Sequence, residues 1–266
     1  MRTTRRLRDA GFVPFAFGAG SNLDALDLAP FGVPLVRCDA EDPRWLPMHA
    51  QLLRLNALAY GGMSMPAWVQ LDCGVLPSAF LGWGLPAERV PAALREGLEV
   101  RGDEPLVPVA EALAVPSATP GRWVSWSLCS VVAGFDLGFA SKLLSLAATR
   151  ARSATGIVQL DGPALRVHTR FGPLWIEQPV VPYHTKPETT VIYRLDTPDL
   201  DALDRGVSPA APPADRWLDP ADLPTRREMD RQSRAGTHTY QILPPGRLPD
   251  GRIPIVAHPA APPGRA

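Results

Sequence analysis

Thr155-Gly-Ile-Val-Gln-Leu-Asp-Gly-Pro-Ala-Leu-Arg-Val-His-Thr169 is the segment on which the expected architecture turns. Two short apolar runs, Thr155–Asp161 and Ala164–Thr169, flank Asp161-Gly162-Pro163, a residue set that favours a tight hairpin. Arg170-Phe-Gly-Pro173 then supplies another turn into Leu174–Val181, and Thr189–Leu195 reads as a further strand, with Val191 and Tyr193 on one face. Short strands joined by tight turns in this density predict an antiparallel meander, either a sheet or a barrel. On a strand Arg166 and His168 leave the same face, because side chains alternate. With Arg170 they make a basic row suited to an anionic group, or equally an exposed face with acidic neighbours.

Upstream, Phe135–Arg152 is the strongest helical pattern in the chain, rich in Leu and Ala, with Asp136 near its start and Arg150 and Arg152 at its end, as the helix dipole favours. Lys142 stands in its middle among Phe139, Leu146, Gly138 and Ser145. Before it, Pro105–Val115 and Arg122–Val132 predict two strands. In the second, Val124, Trp126 and Leu128 share one face, while Trp123, Ser125, Ser127 and Cys129 form the other, small and polar apart from the tryptophan, which suits a cavity wall or equally a solvent-exposed face. Residues 48–60 predict a short helix ended by Gly61-Gly62. Met65–Cys73 alternates as a strand carrying Asp72, and Ala79–Trp83 is a second apolar run able to pair with it.

The chain has 266 residues, with 27 basic and 27 acidic side chains. Zero formal charge argues against a nucleic-acid binder, and no apolar run is long enough to span a membrane. Three widely spaced cysteines, Cys38, Cys73 and Cys129, lack the pairing of a zinc site or a disulfide scaffold, which fits a reducing, cytoplasmic setting. The basic amino terminus is followed by Asp9 and a short apolar stretch broken at Pro14, so a secretory signal is not expected. Gly18-Ala-Gly-Ser-Asn22 lacks the third glycine of a dinucleotide loop, and no HExxH or Gly-x-Ser-x-Gly pattern occurs. No cofactor or metal is expected.

Of the 27 basic residues, 25 are Arg and two, Lys142 and Lys186, are Lys. A lysine among apolar groups loses its proton more readily, and its neutral amine can attack a carbonyl to form an imine. Lys142 is the expected catalytic residue on that ground; snorkelling of its head to water is the alternative. The span Gly138–Leu146 followed by Thr155–Thr169 resembles the active-site region of the acetoacetate decarboxylase-like family. In that family a lysine-bearing segment precedes a two-strand unit with a Leu-Asp-Tyr-Gly-like turn and a Leu-Arg-Val strand. The likeness covers about 35 residues. The family's two adjacent lysines correspond here to Ser141-Lys142.

The resemblance implies a Schiff-base lysine acting on a keto acid or related carbonyl compound, as a decarboxylase or an aldolase-type lyase. It also implies a pocket carboxylate and an arginine for the substrate acid. Asp72 is the first acidic candidate, with Glu111 and Glu177 as others; Arg166, His168 and Trp126 complete the expected substrate-binding set. The expected fold is α+β, mostly antiparallel β, with a cone-like or barrel-like sheet and a few flanking helices. The expected divisions are an N-terminal segment 1–24, a barrel domain 25–205 and a Pro-rich, partly disordered extension 206–266. The alternative function is a non-catalytic β-barrel that binds an apolar small molecule. The expected partner is a small molecule, with no nucleic acid and no membrane; assembly into a homo-oligomer stays open.

Overall fold

The computed structural model describes residues 2–27, 35–39, 41–61, 78–102 and 104–259. The chain divides into two compact units, Met1–Ala151 and Arg152–Ala266.

The first unit holds α1 (Arg2–Asp9), β1 (Val13–Gly18), α2 (Gly20–Asp24), β2 (Val36–Cys38), α3 (Trp45–Tyr60), β3 (Ala79–Leu85), α4 (Ala92–Arg95), β4 (Val107–Pro116), β5 (Arg122–Ser130) and α5 (Leu137–Thr149). Its strands run in the order β2-β1-β3-β4-β5. The β1–β2 pair is parallel, and β1–β3, β3–β4 and β4–β5 are antiparallel. Helices cover both faces, and so β3 and β4 are apolar along nearly their whole length rather than alternating. On one face Leu113, Phe80, Phe15 and Phe17 pack against Met48 and Leu52 of α3. On the other, Ala16, Ala79 and Leu81 meet Leu144 and Ala148 of α5. Glu111 lies two residues from Leu113, and so on the α3 side.

The strands are brought together at Gly82, which lies opposite Glu111 in the β3–β4 register. A Cβ there would fall 2.1 Å from the Ala110 carbonyl oxygen and 2.9 Å from both the Glu111 Cα and the Phe15 ring. Only hydrogen fits, and that fixes a glycine inside an otherwise bulky strand.

The second unit holds β6 (Ser153–Gln159), α6 (Ala164–Thr169), β7 (Leu174–Gln178), β8 (Thr190–Asp196), α7 (Leu200–Asp204), β9 (Arg216–Leu218), α8 (Leu223–Arg234), β10 (His238–Ile242) and β11 (Ile253–Pro259). Its order is β6-β8-β7-β10-β11-β9, every pair antiparallel. The segment past residue 206 thus contributes three strands and a helix, and β10 pairs directly with β7.

Two expectations are corrected here. In each unit the strand order is linear and never returns to its first strand, so the sheet is open and the cone-like barrel is absent. The expected hairpin at Asp161-Gly-Pro163 is a strand, a turn and a helix: Ala164–Thr169 is α6, and the strand beside β6 is β8. Pro163 adopts φ −67° and ψ −25°, already helical, so it starts α6 rather than closing a hairpin. Leu165, His168 and Thr169, three and four apart, form the buried side of that turn.

Candidate functional site

In the first unit β4 and β5 set three polar side chains in a row on the face beneath α3. Glu111 is opposite Cys129 in the strand register, and Ser127, two residues before Cys129, projects to the same side. Glu111 is 1% exposed. Its Oε1 accepts hydrogen bonds from Ser127 Oγ at 2.6 Å and Cys129 Sγ at 3.3 Å. Its Oε2 has no hydrogen-bond partner of normal geometry among the described residues, although the Asn56 side chain lies beside the carboxyl. Burial drives the carboxyl from its usual 4.5 up to about 7, against a downward pull from Ser127, Cys129 and Asn56.

Helix α3 brings Asn56 and Tyr60, four residues apart, to this row. The Tyr60 hydroxyl donates to the Leu128 carbonyl at 2.7 Å and accepts from the Leu128 N–H at 3.2 Å, pinning the ring to β5. Burial, and after it the neighbouring Cys129 and Glu111, raises the phenol above its ordinary value, against smaller downward pulls from Ser127 and the Leu128 backbone. The Cys129 thiol is likewise raised well above 9.0, first by burial and then by Glu111. Cys129 therefore stays a thiol and is no thiolate nucleophile. A buried carboxyl that titrates near neutrality, with hydroxyls attached, is suited to taking and returning a proton.

Lys142 is 2% exposed, and desolvation brings its ammonium down from 10.5 to about 7. It belongs to α5, on the sheet face opposite Glu111, and no carboxylate among the described residues contributes to its shift. Trp126 is 58% exposed on β5. Arg166 is exposed while His168 is buried, with Nδ1 3.1 Å from the Tyr193 hydroxyl. Two residues apart on a helix point about 200° from each other, so the expected basic row of Arg166 and His168 does not form. Asp72 lies outside the described residues. Glu177 pairs with Arg194 at 3.6 Å in the second unit.

In the sequence Ser127 and Cys129 stand out only as a polar strand face, and Glu111 only as one acid among three. Asn56 and Tyr60 carry no signal at all, since nothing in the spacing ties residues 56 and 60 to 111 and 127. Arg226 carries none either. It is wholly buried on α8, and its guanidinium donates to the carbonyls of Pro179, Pro187, Glu188 and Thr190. Those bonds tie the 179–190 connection in place, a structural use of a buried charge.

No family model matches the chain, and no curated protein matches it. Among solved structures, the NatC complex bound to Gag peptide and CoA includes a chain with 11% identity and a TM-score of 0.42, the match covering 60% of this chain and 96% of that one. A protein from Desulfovibrio desulfuricans described as a GNAT-family acetyltransferase gives 16% identity and a TM-score of 0.37, covering 56% and 93%. At these scores neither assigns an activity here. Neither is an acetoacetate decarboxylase. With an open sheet, and with a helix where that family's Leu-Arg-Val strand should stand, the acetoacetate decarboxylase-like resemblance and the imine-forming lyase drawn from it are withdrawn.

Proposed function

We propose that the first unit is the catalytic half of an enzyme in which Glu111 acts as general base, and then as general acid, toward a small-molecule substrate. Group transfer by direct attack is the reaction class proposed for it: Glu111 takes the proton of the attacking nucleophile and later returns it to the leaving group. One observation carries the reading, the enclosed carboxyl with Oε1 held by Ser127 and Cys129 and with Oε2 turned to no normal hydrogen bond among the described residues. A base that titrates at about 7 is half ionised at neutral pH, where proton transfer in both directions is most efficient. Covalent catalysis by Cys129 is disfavoured because its thiol is held protonated.

The test is turnover against a panel of small acyl and phosphoryl donors paired with amine and hydroxyl acceptors. For the pair that reacts, kcat/KM should rise with pH through an inflection near 7, and Glu111→Gln should lower it by roughly 100-fold or more and remove the inflection. Full turnover in Glu111→Gln sinks the proposal.

A further inference from the structure

Two donors converge on one oxygen of the Glu111 carboxyl. Ser127 Oγ lies 2.6 Å and Cys129 Sγ 3.3 Å from Oε1, each with its hydrogen committed to that oxygen. The first distance is that of a hydroxyl donating to an ionised carboxylate; the second is a weaker thiol bond. Ser127 and Cys129 stand two residues apart on one face of β5, with Cys129 opposite Glu111, so strand pairing sets both donors on the same side. Oε2 has no hydrogen-bond partner of normal geometry among the described residues.

The other groups facing the carboxyl are uncharged. Helix α3 brings Asn56, and Tyr60, whose hydroxyl hydrogen goes to the Leu128 carbonyl at 2.7 Å. His49, two turns earlier on α3, has its ring 6.5 Å from that of Phe17. Strand β3 places Gly82 opposite Glu111. Burial holds the Cys129 thiol and the Tyr60 phenol in their neutral forms. No charged side chain among the described residues pulls on the carboxyl, so its hydrogen bonds decide which oxygen is protonated. We infer that Ser127 and Cys129 are positioning residues that hold Oε1 as an acceptor and leave Oε2 as the oxygen that takes and returns the proton. The inference rests on the acid–base role proposed for Glu111 and assigns that role to one atom. As the bond from the nucleophile to its hydrogen breaks, an O–H bond forms on an Oε2 lone pair and C–Oε1 becomes the carbonyl. Both donors keep their bonds to it. A proton on Oε1 would instead turn the Ser127 hydrogen away and weaken Oε1 as an acceptor for the thiol, so at least one hydrogen bond would be lost. The return step breaks the Oε2–H bond, passes the proton to the leaving group and restores the carboxylate without moving either donor.

The assignment is tested on the full chain without a substrate, by infrared titration of the carboxylic C=O stretch, identified by its loss in Glu111→Gln. With the proton on Oε2, Oε1 is the carbonyl oxygen, and Ser127→Ala removes a donor from it. The band should move to higher wavenumber, and the titration midpoint should rise from about 7 by roughly one to two pH units. Ser127→Thr should restore both. Cys129→Ser exchanges a weak donor for a stronger one and should move band and midpoint the opposite way, which a general loosening of the fold does not do. An unmoved band in Ser127→Ala overturns the assignment, and so does a midpoint that stays put there or shifts the same way in both variants. If Ser127→Ala does not fold, Cys129→Ser decides alone, and an unmoved or higher band in it overturns the assignment. Turnover retained by Glu111→Gln removes the proposed reaction without touching either infrared readout, so the two failures are distinguishable.

Discussion

At the scale of single residues, Glu111 and Lys142 are buried on opposite faces of one sheet, and burial shifts each toward neutrality from opposite sides. Folding raises the Glu111 pKa from 4.5 to about 7, so the folded chain binds more protons than the unfolded chain between those values. Its contribution to stability is fully present below 4.5 and is lost as pH rises through about 7, by roughly 3 kcal/mol in all. Glu111→Gln should therefore flatten the fall in unfolding free energy between pH 4.5 and 7, measured by urea titration at a series of pH values. For Lys142 the folded pKa lies below the unfolded one, and the unfolded chain binds more protons between about 7 and 10.5. Stability there should rise with pH by about 1.4 kcal/mol per unit at the steepest. Lys142→Met should abolish that rise. The unusual lysine is visible in composition, two Lys against 25 Arg, and so is its apolar setting on a Leu/Ala helix. Glu111 is not singled out there, because one acid in an apolar strand carries no mark of what the neighbouring strand will offer it.

At the scale of elements, local pattern and long-range pairing compete in residues 153–169. Asp161-Gly162-Pro163 announces a turn correctly, but a turn does not specify the element after it. Ala164–Thr169 is short, and a few apolar residues satisfy either a strand or one and a half helical turns. The choice went to helix because β8 pairs with β6 along its whole length, from Ser153↔Asp196 to Gln159↔Thr190. That competition is long-range and invisible in the local pattern. Two elements can be tested by substitution. Gly82→Ala should separate β3 from β4, since the added methyl meets backbone at 2.1 Å, and lower stability by about 3 kcal/mol or prevent folding. Circular dichroism with urea unfolding measures it; native stability would show that β3 shifts freely. Arg226→Met should cost about 3 kcal/mol or more, because the carbonyls of Pro179, Pro187, Glu188 and Thr190 lose their common donor inside the fold. Arg226→Lys should recover little, as an ammonium lacks the planar fork that reaches carbonyls on several sides.

At the scale of the whole molecule, the two titrations combine. Below about 7 Glu111 makes stability fall with rising pH, and above it Lys142 makes stability rise. The two groups together should place a shallow minimum near neutrality in the pH–stability curve, which the double variant Glu111→Gln/Lys142→Met should remove. Among the described residues no helix is long and apolar enough to cross a membrane, in line with the sequence. Sequence alone determined where most elements lie: the helix around Lys142, the strand pair at 107–130, and the strands at 174–178 and 190–196 all arise from periodicity and turn residues. It also set the apolar surroundings of Lys142. Only the tertiary structure decided that the sheet stays open, that Arg166 and His168 part, and that Asn56, Tyr60, Glu111, Ser127 and Cys129 meet. The physical reason is the same in each case: local pattern fixes which face of an element avoids water, whereas strand order and register fix which faces touch, and those arise from pairings between residues far apart in the chain.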